Sequence, residues 1–150
     1  MKNLFLLVSV FFGFLFHAQD ENSKKVEPSL EVQKAFEKDF PKATAAWTID
    51  DRDQLSYEGD FTQNHTEMTA IYSAAGELKV LEIGMKVSDV PFKVSNYLAQ
   101  NYPKNKINNA ARAITGNSTI TYEIGITIND RWTDAIFNKE GDFLRMVQKD

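Results

Sequence analysis

The spacing of apolar residues changes character several times along the chain. Leu4 to Phe16 is a nearly unbroken apolar run between Lys2 and the small residue Ala18, and the polar stretch Asp20 to Lys25 follows it. Val32, Ala35, Phe36 and Phe40 then recur at helical spacing, as do Val94, Tyr97, Leu98 and Tyr102 further on. Ser29 or Pro28 opens the first of these helices and Pro41 stops it. Ser88 or Asp89 is expected to cap the second, with Pro91 in its first turn and Pro103 as its stop. After each helix the period drops to two. The alternation predicts strands over Ala45–Ile49, Leu55–Thr62, Glu67–Ser73 and Leu78–Ile83, then over Ala110–Ile114, Thr119–Ile128, Arg131–Phe137 and Phe143–Gln148. Gly76 and Gly141 fall in the turns before each last strand, where glycine takes positive φ cheaply. Asn129-Asp130 and Gln63 to Thr66 supply the turns before each third strand.

The two halves match. Leu30, Val32, Phe36 and Phe40 align with Phe92, Val94, Leu98 and Tyr102 at one constant offset. Tyr57, Phe61, Ala70-Ile71-Tyr72 and Gly76 align with Tyr122, Ile126, Ala135-Ile136-Phe137 and Gly141 at an offset three larger. Two fixed offsets joined by one gap mark an internal repeat with three residues inserted after the second helix. The fold class expected is α+β: two tandem repeats, each one helix followed by a four-stranded antiparallel sheet, possibly merged into one continuous sheet. The boundaries expected are a signal peptide at 1–18, a disordered mature N-terminus at 19–27, and repeats at 28–84 and 85–150.

Alternation also assigns faces. Tyr57, Gly59, Phe61, Ala70 and Tyr72 point to one side, as do Tyr122, Ile124, Ile126, Ala135 and Phe137. The opposite side carries Glu58, Asp60, Thr69 and Ile71 in the first unit and Glu123, Thr127, Trp132, Asp134 and Ile136 in the second. One helix covers one face of a four-stranded sheet, so the other face must meet solvent, the other unit or a partner.

A charged start, a short apolar middle and a small residue form the pattern of a secretory leader. The run is shorter than the ~20 residues of a membrane-spanning helix, and it lacks the polar face of an amphipathic one. A periplasmic or secreted location is therefore expected, with no stable membrane insertion once the leader is removed. The chain has no Cys, which excludes disulfides, thiolate metal sites and a cysteine nucleophile. Its net charge of -4, close to -5 once Lys2 leaves with the leader, is spread without a basic stripe. Nucleic acid is thereby excluded as an expected partner.

Helices ending in Phe40-Pro41 and Tyr102-Pro103 are followed in the first unit by Ala46-Trp47. Tyr57-Glu58-Gly59-Asp60-Phe61 and Tyr122-Glu123-Ile124-Gly125-Ile126 come next, and strands running into Gly76 and Gly141 complete each unit. Over Pro28 to Val147 this pattern resembles the PepSY-like exported proteins whose fold is similar to the β-lactamase inhibitory protein. The resemblance implies two αβ4 units side by side, a periplasmic or secreted location and no assigned function. It does not extend to β-lactamase inhibition, because that inhibitor relies on disulfides and this chain has no Cys.

Candidate chemistry is sparse. His65 follows Asn64 in a turn, with no neighbouring nucleophile or orienting partner. Asp50-Asp51-Arg52-Asp53 lacks the glycine and distal glutamate of a calcium loop and reads as a solvated turn. Asn64-His65-Thr66 and Asn117-Ser118-Thr119 match a glycosylation triplet and read as turns. Glu58 and Glu123 occupy equivalent positions and follow from the duplication, with no pocket or sugar-binding cluster legible beside them. No catalytic residue, metal or cofactor is expected. The features to follow are Trp132, Asp134, Ile136, Ile71, Glu58 and Glu123 on the uncovered face, expected to bind an exported protein or peptide. The alternative is a small-molecule or lipid carrier with an apolar pocket between helices and sheet, lined by residues such as Phe36, Tyr97 and Phe137. Neither the partner nor the oligomeric state is legible.

Overall fold

A computed structural model describes residues 25–49 and 55–148. The leader expected at 1–18, most of the N-terminal segment expected at 19–27 and the Asp50–Asp53 cluster lie outside the described residues.

Each unit opens with a ten-residue helix, α1 over Leu30–Asp39 and α2 over Phe92–Asn101. Ser29 caps α1: its Oγ accepts from the Val32 N–H at 3.3 Å and donates to Ala74 O at 3.0 Å, tying the helix start to a distant turn. The start of α2 differs from the cap expected at Ser88 or Asp89. Val87–Asp89 forms a single 3-10 turn, Val90 is extended, and Pro91 itself stands at the N-cap without a side-chain bond. The residue before proline is kept out of the helical region, so α2 can begin only from Pro91 onward. Both helices end alike. Phe40 N–H donates to Phe36 O and Tyr102 N–H to Leu98 O before the stopping proline.

The strands are β1 (Ala46–Ile49), β2 (Ser56–Gln63), β3 (Thr66–Ser73), β4 (Leu78–Met85), β5 (Ile107–Thr115), β6 (Ile120–Ile128), β7 (Arg131–Asn138) and β8 (Phe143–Gln148). They form one eight-stranded sheet in chain order, antiparallel throughout. The two four-stranded halves are therefore continuous, joined where Val80–Met85 of β4 pairs with Ala110–Thr115 of β5.

The repeat extends to backbone detail. Asn64 and His65 have φ of 50° and 63°, and Asn129 and Asp130 have the same pair of values, as type I′ hairpins require. Gly76 and Gly141 stand at φ 82° and 80°. Both units carry a register shift at equivalent places, Ile71/Tyr72 and Ile136/Phe137. The inserted residues are divided: pairing of Ala46 with Asp60, of Asn109 with Gly125 and of Ile107 with Ile126 puts one at the irregularity within β5, between Ile107 and Asn109, and the other two between β5 and β6.

Both helices lie on one side, over two cores. In the first, Phe36 stands edge-on to Phe61 (5.0 Å between centroids) and Trp47 (5.2 Å), with Val32, Ala70 and Tyr72 buried around it. In the second, Val94, Leu98, Ile124 and Phe137 are buried, and Tyr97 stacks on Phe143 at 4.9 Å. Phe61, Ala70 and Tyr72, with Ile124 and Phe137, are the strand residues that the alternation assigns to the helix side. No helix among the described residues is long and apolar enough to cross a membrane.

Candidate functional site

With both helices on one side, the register defines the opposite face residue by residue. Glu58 lies opposite Ile71, and Ile71 opposite Val80. Glu82 stands between Thr69 and Ala113 at the junction of the units. Glu123 lies between Ala111 and Ile136, and Ile136 is opposite Arg145. Asp134 lies between Gly125 and Val147, and Trp132 is opposite Thr127. All six residues singled out from the sequence thus share the face away from the helices.

They do not form one cluster. Glu58 with Ile71, and Glu123 with Ile136, are equivalent cross-strand pairs in the two units, separated by β4 and β5. Four strand spacings, with a four-residue stagger along the strands, put them more than roughly 19 Å apart. That is about twice or more the separation at which two carboxylates flank a scissile glycosidic bond. Trp132 and Asp134 belong to the second unit alone, since Glu67 and Thr69 hold the equivalent positions in the first. The Trp132 indole N–H donates to Asp134 Oδ1 at 3.3 Å, orienting the ring along its own strand. A Cβ on Gly125 would lie 3.0 Å from that ring and run into the Asn109 side chain, so this glycine makes room for both.

The face is not uniformly accessible. Ile71 is 1% exposed and Ile136 4%, and Glu58 and Asp134 are also buried. Trp132 and Glu123 are half-buried, and Arg145 is exposed. The first four make a floor, and Trp132 and Glu123 are its reachable part. Sequence reading passed over Glu82, Val80, Ala111 and Ala113, which occupy the middle of the face. The alternation Val80-x-Glu82-x-Gly84 could have revealed them, but only with knowledge that β4 and β5 adjoin. Polar contacts on the first unit's half include Thr69 Oγ1 donating to Asp60 Oδ1 at 2.6 Å and Lys79 Nζ donating to Ser56 Oγ at 2.7 Å.

Elsewhere, His65 is exposed in its turn. Among the described residues no three His, Asp or Glu side chains gather to hold a metal. A groove of about 390 Å³ lies not between helix and sheet but at the outer margin of the first unit, where Val26, Pro28, Phe36, Ala45 and Trp47 line it.

An open antiparallel meander with two helices on one side is a tandem αβ4 architecture. No protein-family model and no curated protein matches the chain. Solved structures do. A Bacteroides eggerthii protein named as periplasmic superposes with a TM-score of 0.71 at 20% identity, covering 82% of this chain and 90% of that one. A DUF2874 family protein from Bacteroides uniformis gives 0.70 at 18% identity, covering 81% and 90%. A BLIP-like protein from Bacteroides fragilis gives 0.64 at 17% identity, covering 82% and 87%. The chain therefore has the BLIP-like fold that its helix ends and repeated turns resembled.

Proposed function

We propose that this is an exported, non-enzymatic binding module that recognises a protein or peptide on the sheet face away from the helices. Residues 1–18 would direct export and be removed, leaving the mature chain periplasmic or secreted. Trp132 would anchor the partner, with Ile71 and Ile136 as floor and Glu58, Glu123 and Asp134 favouring positive charge.

One observation carries the reading. Both helices cover the same side of a continuous sheet, and the other side presents a half-buried Trp132, held by Asp134, with half-buried Glu123 four residues along the neighbouring strand from the Trp132 partner Thr127. Tryptophan is among the side chains that most often anchor a recognition surface. The fold shared with a BLIP-like protein supports the same reading. The test uses residues 19 to 150 as bait against exported proteins of the same cell, beside Trp132→Asp. One dominant partner, lost with the variant, is expected. A partner retained at full strength by Trp132→Asp would refute the anchor.

The margin groove against Phe36 and Trp47 supports a second reading, a small-molecule or lipid carrier. Native mass spectrometry separates the two: a co-purifying small mass favours the carrier, and a clean apo mass the binding module.

A further inference from the structure

The sheet has two outer strands, and they differ. β1 is four residues long, and the segment ahead of α1 lies on it, with the Val26 N–H donating to Trp47 O at 3.0 Å. β8 is six residues long, and among the described residues no backbone hydrogen bond reaches its outer side. Alternate residues of an edge strand turn their N–H and C=O groups outward. Such a row is a template for another strand unless the edge is short, covered or charged.

The repeat shows what this edge is shaped to accept. β8 holds in the second unit the place that β4 holds in the first, with the same register shift and the same glycine turn before it. β4 is not an edge, because β5 pairs with it antiparallel, setting Thr115 opposite Val80, Ile114 opposite Leu81 and Ala113 opposite Glu82. The equivalent residues of β8 are Arg145, Met146 and Val147. On the helix side of this edge, Phe143 and Met146 are only partly buried, and Phe143 lies flat against Tyr97 (10° between planes). Leu144, in the irregular stretch of β8, is 49% exposed.

We propose that the outer edge of β8 is a strand-addition site for an extended segment of a partner protein, running antiparallel. Its apolar side chains would lie on the helix side against Phe143 and Met146, and an acidic residue would lie on the other side beside exposed Arg145. β5, which β4 already accepts antiparallel, is the strand in the chain nearest to such a segment, with Thr115 in place of the acid and Ile114 as its apolar residue. In the register inherited from β4, a copy of β5 would set Ile114 opposite Met146, Ala113 opposite Val147 and Thr115 opposite Arg145. The site is separate from the Trp132 face and does not depend on it.

The test extends residues 19 to 150 beyond Asp150 with a flexible Gly/Ser linker and a copy of the nine β5 residues Ile107–Thr115. The tether supplies a high local concentration. A control carries the same nine residues reordered to abolish the apolar alternation. Amide hydrogen exchange along β8 is read by NMR. Alternate β8 amides, those facing outward, are expected to exchange about tenfold more slowly with the β5 copy than with the control. Equal exchange in the two proteins would overturn the proposal. Trp132→Asp in the extended chain is expected to leave the protection intact. Its loss there would place the added segment on the open face and overturn the edge site as well.

Discussion

Tyr72 and Phe137 occupy the same position in the two units and differ by one hydroxyl, which has a partner. Tyr72 OH donates to Asp39 Oδ2 at 2.9 Å, whereas the residue equivalent to Asp39 in α2 is Asn101, whose side chain turns to Tyr97 O. Burial first, then the hydrogen bond and the charge of Asp39, raise the Tyr72 phenol above its ordinary value. Tyr72→Phe is expected to lose about 1–2 kcal/mol at neutral pH in urea denaturation, since Asp39 is exposed and regains water. With the folded-state pKa raised, the Tyr72 contribution is complete below the unfolded phenol pKa of about 10. It declines as pH rises above that, so the gap between wild type and variant should narrow there. Asp142 shifts the other way. Hydrogen bonds from Lys93 and Asn138, and then the Lys93 charge, lower its carboxyl. Its contribution is present above the unfolded carboxyl pKa and is lost as pH falls through the lower folded value. An NMR titration should place the Asp142 midpoint below the ordinary aspartate range, and Lys93→Met should bring it back towards that range. Gly125 is legible in the sequence as a glycine within a strand, but not as the space beneath Trp132. In a Trp47→Phe background, Gly125→Ala should shift the Trp132 emission maximum and cost about 1–3 kcal/mol.

The elements were mostly readable from local signals, and the exceptions have local causes. The helices follow from Val32, Phe36 and Phe40 and from Val94, Leu98 and Tyr102, each row ended by a proline. β5 begins earlier than its apolar alternation suggests, because the polar Asn108 and Asn109 enter it through an irregular register. β4 runs past Ile83 to Met85, because β5 supplies partners there. The cap of α2 falls at Pro91 and not at the expected Ser88 or Asp89, because Pro91, rather than a hydrogen-bonding side chain, determines where that helix can start. Ser29→Ala should cost about 1–2 kcal/mol, since the hydroxyl both caps α1 and bonds Ala74 O. The hairpin turns offer the opposite sign. His65 and Asp130 both sit at φ 63°. Replacing either with Gly should raise stability by up to about 1 kcal/mol by relieving a left-handed backbone. Thermal unfolding of the single and double variants measures each.

At the scale of the whole molecule, continuity through β4 and β5 makes two small units share one sheet. Unfolding should therefore be a single transition, with Trp47 reporting on the first unit and Trp132 on the second at the same urea midpoint. Phe36→Ala, at the centre of the first unit's rings, should cost about 3–5 kcal/mol and move both midpoints together. The sequence by itself determined the repeat, the helix ends, the turns and the two faces of each strand. All of these arise from side-chain periodicity and from the backbone preferences of Pro, Gly and Asn, which act within a few residues. Tertiary structure decided that the halves join edge to edge, that both helices share a side, and that Glu82 sits at the seam. It also decided that Ile71 and Ile136 are covered while Trp132 and Glu123 remain reachable, and that among the described residues β8 rather than β1 keeps an outer edge without backbone hydrogen bonds. Those features depend on which strand lies beside which. Strand pairing is set by hydrogen bonds between residues far apart in the chain, and no local pattern records it.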